Sequence, residues 1–209
     1  MTLDKEIVDS AVDVAERNEE HQARADVYRL LAALLASPPR QEHLQVIRNL
    51  EVDAAGNDES LTNAWYQLQQ VAQQAQPDQL EDEYFNLFIG LGRGELSPYA
   101  SWYLTGFLME KPLADLRTEL SRLGFTRQNK VSEPEDHVAA LCEVMSVIIA
   151  ESELSFDEEK IFFTRYVAPW MGRFFNDLCH AQSATFYKPV GFLGKQFIDI
   201  EQRYFSMPL

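Results

Sequence analysis

Six consecutive residues, Ser132-Glu133-Pro134-Glu135-Asp136-His137, put three carboxylates, a hydroxyl and an imidazole into one short stretch. Two roles suit such a set. Ser132 and Glu135 have the S-x-x-E spacing of a capping box, and Pro134 suits a first helical turn, so a helix start accounts for those three. Acidic groups there complement the positive end of the helix. His137 gains nothing from that end. The carboxylates Glu133, Glu135 and Asp136 also overcompensate it, leaving a net negative site that can hold a guanidinium through paired hydrogen bonds. Asp136 and His137 as an acid–base pair fit poorly, because neighbours on a helix point about 100° apart.

A second cluster lies upstream. Tyr84, Leu87 and Phe88 share one helical face by their i, i+3, i+4 spacing. Such a stripe is core in most proteins, and it can equally receive an apolar peptide. The loop that follows, Gly90 to Tyr103, carries Pro98, Tyr99, Ser101, Trp102 and Tyr103 close together. Clustered loop aromatics offer apolar area at low entropy cost and suit recognition surfaces. Gly90, Gly92 and Gly94 do not make a phosphate loop: no strand precedes them, no Lys-Ser/Thr follows, and Glu95 opposes phosphate.

Other chemistry finds little support. His21, His43, His137 and His180 are scattered, without HExxH or a Cys/His cluster at ligand spacing. Cys142 and Cys179 sit in apolar helical patterns and read as buried free thiols. The residues therefore describe a binding protein, with no enzymatic centre, cofactor or metal. Lys plus Arg number 18 and Asp plus Glu 33, a formal charge of −15. That charge opposes nucleic acid and steers cationic peptides inward. The start, MTLDKEIVDS, lacks the basic and apolar regions of a secretory signal, and no apolar run reaches membrane-spanning length. A cytoplasmic protein without membrane insertion is the expectation.

The elements that must position these residues read as helices. Apolar 3–4 spacing runs through Val27–Leu35 to a stop at Ser37-Pro38-Pro39, then through Leu61–Val71 to Pro77. Asp78 is placed to cap a helix through Phe88 that Gly90 ends, and Pro112 to open one that Gly124 closes. Val138 to Ile149, Asp157 to Ala168, Pro169 to Ala181 and Lys188 to Phe205 complete the set. Alternation of the strand type is missing, so the fold class is all-α, a helical bundle. Residues 51–58 read as a surface loop and the first twenty as a loosely attached helix or tail. Residues 125–132 read as a hinge loop between an N-terminal part, 1–124, and a C-terminal part, 133–209. Each part is short for independent stability, so they pack together, as a closed monomer or as a dimer exchanging C-terminal parts.

With EYFNLF at 83–88, PYASWY at 98–103, PLADLRTELSRLG at 112–124, EPEDH at 133–137 and FTRYVAPWMGRFF at 163–175, the chain resembles the TorD/DmsD/NarJ family of redox-enzyme maturation chaperones over roughly residues 24–205. One departure is Gly90-Leu91 after Ile89, where relatives often carry Gly-Pro after the Leu-Phe pair. The resemblance implies two helical subdomains with a hinge before EPEDH. It implies binding of the twin-arginine signal peptide and the immature apo-form of an exported molybdenum-cofactor reductase, such as trimethylamine N-oxide reductase, held for cofactor insertion while export is delayed. The family's peptide-binding positions map onto Tyr84, Leu87, Phe88, Pro98, Tyr99, Ser101, Asp136 and His137, beside which Glu133 adds a further carboxylate. Some relatives are suspected of guanine-nucleotide binding, which nothing in this sequence supports independently. The competing readings are an assembly factor for a nitrate-reductase-type subunit without a signal peptide, and an unrelated helical adaptor using the Tyr84/Leu87/Phe88 face.

Overall fold

The computed structural model describes residues 3–52, 58–126, 133–151 and 154–207, with side chains from residue 19 onward. Most of the hinge read at 125–132, Ser132 with its capping box, and most of the loop at 51–58 lie outside the described residues.

The first helix, α1 (Leu3–Ala36), is continuous, so the N-terminal twenty residues from Leu3 belong to one long element rather than a tail. It ends where Pro38 biases the preceding residue away from helical geometry. A short α2 (Gln41–Arg48) and α3 (Glu59–Gln74) follow, the latter capped by the Asp58 carboxylate on the N–H groups of Ser60 and Leu61. Helix α4 (Pro77–Tyr84) begins on Pro77 with Gln76 at the cap, so Asp78 lies inside its first turn and does not cap it. Helix α5 (Ala100–Thr105) lies in the stretch read as loop. Helix α6 (Lys111–Arg122), α7 (Val138–Ala150), α8 (Phe156–Phe162), α9 (Met171–His180) and α10 (Tyr187–Ser206) run close to the expected spans.

Among the described residues there is no strand, only an isolated antiparallel bridge between Tyr99 and His137. The all-α reading stands. Helix α1 packs along α7, α9 along α10, and α10 along α3. One hydrophobic cluster runs from Tyr28 and Leu31 through Leu87 and Met145 to Trp170, Phe174 and Phe205. The N- and C-terminal parts therefore share a core within the single chain. Fully burying each such large side chain contributes about 1.5–3 kcal/mol.

Two helices end on a wider turn. After α4, residues Phe85–Ile89 form a π turn closed by the Gly90 N–H on the Phe85 carbonyl at 2.7 Å. After α8, Phe163–Val167 do the same, closed by Ala168 on Phe163 at 2.9 Å. Such turns are uncommon and concentrate at functional sites. The first carries the EYFNLF stretch.

Candidate functional site

The glycine-rich loop is folded back on the π turn that precedes it. Leu96 N–H donates to the Leu87 carbonyl at 2.8 Å and Glu95 N–H to the Asn86 carbonyl at 3.1 Å. A Cβ at Gly94 would sit 2.5 Å from the Phe88 carbonyl carbon, and Gly90 holds φ of +61°. These glycines serve close backbone approach. Phosphate has no part in it.

The loop then meets EPEDH. Val138 N–H donates to the Pro98 carbonyl at 2.8 Å, and Ala100 N–H donates to the Asp136 carbonyl oxygen at 2.9 Å. The side chain of Asp136 joins in: its Oδ2 accepts the Ser101 N–H at 2.9 Å, an orphan donor of the first turn of α5. Asp136 and Ser101 are buried, and among the described residues neither Asp136 Oδ1 nor Ser101 Oγ has a hydrogen-bond partner.

His137 is the N-cap of α7. Its Nδ1 accepts the Ala139 N–H at 3.2 Å, so the helix starts at Val138, four residues later than Pro134 suggested. An acceptor at Nδ1 requires the neutral imidazole. Burial lowers the His137 pKa to about 4, while the charges of Glu133 and Asp136 oppose that shift. The Tyr99 ring stands edge-on to the imidazole, with centroids 5.1 Å apart. Its hydroxyl donates to Glu133 at 2.5 Å. Burial, then that bond, drives the Tyr99 phenol well up from its ordinary value. Burial with the field of Glu133 likewise takes Tyr84 up to about 12. Glu133 thus acts on aromatics from both clusters. Glu135 is engaged elsewhere, by Arg117 at 2.8 Å.

The upstream stripe is packed inward. Leu87 is fully buried, and Tyr84 is buried with its hydroxyl donating to the Leu35 carbonyl at 3.2 Å. Phe88 is half-buried against Tyr84, Tyr187 and Phe174. Of the loop aromatics, Tyr103 donates to Asp177 at 2.9 Å and Trp102 lies under Arg93 at 4.1 Å. The structure thus gathers Pro98, Tyr99, Ser101, Glu133, Asp136 and His137 into one junction. Tyr84 and Leu87 belong to the adjoining core, with Phe88 packed against it.

Sequence reasoning missed the open surface beside this junction. Leu104 in the last turn of α5 and Phe107, Leu108 and Met109 on the turn between α5 and α6 are 42, 68, 49 and 74% exposed. Met109 holds φ of +59°, unusual for a side chain with a Cβ. A cleft of about 480 Å³ runs from Ala100 and Leu104 past Leu116 and Leu141, edged by Asp115 and Glu119. A second, of about 760 Å³, opens between Trp102, Leu104 and Arg173. The available signal was the run FLM between Gly106 and Pro112, apolar residues bounded by turn formers and outside any helical stripe.

The family described as nitrate reductase delta subunit matches residues 54–176, more than half of the chain. The chain belongs to that family. This is the group that the EYFNLF and EPEDH stretches pointed to. Over 207 residues the chain is 25% identical to a protein of Vibrio atlanticus (strain LGP32) named chaperone protein TorD, covering 89% of this chain and 96% of the relative. It is 28% identical over 192 residues to the chaperone protein TorD of Vibrio vulnificus (strain YJ016), covering 82% and 86%. A redox enzyme maturation protein from Archaeoglobus fulgidus has the same fold, with a TM-score of 0.55 at 20% identity, over 84% of this chain and 93% of that one. The two Vibrio relatives carry the name of a chaperone, a non-enzymatic role. Among the described residues, no helix is long and apolar enough to cross a membrane.

Proposed function

We propose that this chain binds the twin-arginine signal peptide and the immature form of an exported molybdenum-cofactor reductase in the cytoplasm. It holds the precursor for cofactor insertion and delays its export. A trimethylamine N-oxide reductase, or a terminal reductase like it, is the client that the relatives named TorD favour.

The observation that carries this reading is the unsatisfied Asp136 Oδ1 at the junction. A buried carboxylate oxygen without a donor costs stability, and a guanidinium supplies a charge-assisted donor of the matching geometry. Glu133, joined to Tyr99, adds negative charge at the same place. The apolar stretch of a signal peptide needs a neighbouring apolar surface, and exposed Leu104, Phe107, Leu108 and Met109 offer one. Because Asp136 and Leu87 are buried, peptide entry requires the 98–101 and 134–138 segments to part.

Calorimetry with a synthetic twin-arginine peptide tests the assignment. Wild-type chain binds it, and both Asp136→Ala and Leu87→Ala weaken binding by roughly tenfold or more while circular dichroism stays helical. Wild-type affinity in both variants counts against the site. The family's description favours a second reading, an assembly factor for a nitrate-reductase-type subunit. On that reading the chain ignores the arginine pair, and a peptide with both arginines replaced by glutamine binds as well.

A further inference from the structure

Apart from the junction and sharing no residue with it, α1, α2, α3 and α10 leave a groove of about 820 Å³ open between them. Its walls are apolar: Val27 and Leu30 from α1, Trp65 from α3 and Ile200 from α10 are only half-buried, and Val46 from α2 is 57% exposed. The volume lies within the roughly 300–1,000 Å³ of sites that bury apolar ligands.

The rim is acidic. Glu20, Asp26, Glu51 and Asp58 border the groove. Asp26 is shared with Arg29 and Asp58 with Arg203. Among the described residues, neither Glu20 nor Glu51 pairs with a cation in an ion pair of this fold. Among the described residues the one cation in the lining is Arg24, held by Glu159 and Glu201 at 2.6 Å each, two carboxylates that outweigh its single charge although its Nη1 has no hydrogen-bond partner. An apolar floor between unbalanced carboxylates selects an occupant that is apolar on one side and cationic on its edges.

We infer that this groove is a second docking site, and that its occupant is a cationic amphipathic helix of the client protein. An anionic lipid surface or nucleic acid would be repelled by the rim. A second copy of this chain, itself at −15, brings the wrong sign. Helix-in-groove docking uses apolar anchors at i, i+3, i+4 and i+7, which an apolar trough between helices receives. Only the identity of the client rests on the chaperone reading.

The test is calorimetry with an amphipathic peptide of Leu and Lys at helical spacing, its Leu/Glu counterpart, and a twin-arginine signal peptide in parallel. The Leu/Lys peptide binds wild-type chain, and the Leu/Glu peptide does not. The double variant Val46→Arg, Glu51→Lys alters two exposed positions, so the fold persists, and it weakens Leu/Lys binding by roughly tenfold or more. Equal binding of both designed peptides, or unchanged affinity in the double variant, overturns the groove. A concentration-dependent dimer by light scattering, abolished by the double variant, also overturns it by making the groove a self-interface. Binding of the Leu/Lys peptide without the twin-arginine peptide supports the groove and sinks the signal-peptide reading. The reverse result sinks the groove alone.

Discussion

The N–H of Ser101 donates to the Asp136 carboxylate at 2.9 Å, tying together segments 35 residues apart in sequence. Flanked by the Ala100–Asp136 and Val138–Pro98 backbone bonds, it fixes the start of α5 against the start of α7. One oxygen of Asp136 therefore builds the fold, and among the described residues the other has no hydrogen-bond partner.

That division separates two substitutions. Asp136→Ala leaves the Ser101 N–H buried and unpaired, and costs about 1–3 kcal/mol in urea denaturation. Asp136→Asn retains an acceptor for Ser101 and removes the charge, so its stability stays within about 1 kcal/mol of wild type. Twin-arginine peptide affinity nevertheless falls by roughly tenfold in the Asn variant, as expected if a guanidinium meets the carboxylate. Equal loss of stability and binding in both variants would reduce Asp136 to a structural clasp.

His137 makes folding depend on pH in a definable window. Its folded pKa, about 4, lies below the unfolded value of 6.5. Above about pH 6.5 the imidazole is neutral in both states and its contribution is fully present. As the pH falls, the unfolded chain takes up the proton first, so stability is lost down through the folded pKa, by about 3 kcal/mol in all. His137→Asn keeps a side-chain acceptor for the Ala139 N–H without the titration. The difference in urea midpoint between wild type and this variant should narrow or reverse between pH 6.5 and 4. A constant difference across that range removes His137 from the acid response.

The contrast between these residues and the helices around them explains what the sequence could and could not reveal. Val138 to Ile149 declares itself by apolar spacing, because a helix buried on one side must repeat every three or four residues. Helix α5 escapes that signal because six residues, Ala100–Thr105, hold too little of a period. EPEDH was legible as a helix start, but His137 as the cap was not, since residues of the Ser, Thr, Asp and Asn type are the usual caps. Tyr84, Leu87 and Phe88 read as one helical face, and the fold buries Tyr84 and Leu87 with Phe88 packed against the core. Their depth in the core depends on Phe174 and Tyr187, about a hundred positions away, which no local pattern encodes.

Glu83 illustrates the same distance. Its carboxylate accepts the N–H groups of Thr185, Phe186 and Tyr187 at 2.7, 3.1 and 2.8 Å, and so caps the start of α10 from across the chain. Glu83→Ala unpairs three donors and is expected to cost about 2 kcal/mol or more. Glu83→Gln keeps one acceptor oxygen and should recover about half of that. Hydrogen exchange at residues 185–187 would accelerate in Glu83→Ala with little change at α7, where the cap is His137. Uniform acceleration throughout would show that Glu83 supports the whole fold rather than one helix end.

Arg24 is a buried tie between three helices, α1, α8 and α10. Its guanidinium, 7% exposed, bridges Glu159 of α8 and Glu201 of α10, while Tyr28 donates to Glu201 at 3.2 Å. Burial already raises the Glu201 pKa, against the pull of Arg24. Arg24→Met preserves much of the side-chain volume and leaves two buried carboxylates without a cation, at a cost of about 3–5 kcal/mol near neutral pH. Without Arg24, the pKa of Glu201 must rise further, so the folded variant holds a proton that the unfolded chain releases. For an acid with a raised folded pKa, stability is gained as the pH falls, and the penalty of Arg24→Met should shrink toward pH 5. Urea titrations of both proteins at several pH values check this. A penalty that does not change with pH would mean that lost packing of the guanidinium over Tyr204, 4.2 Å from the ring centre, outweighs the stranded charges.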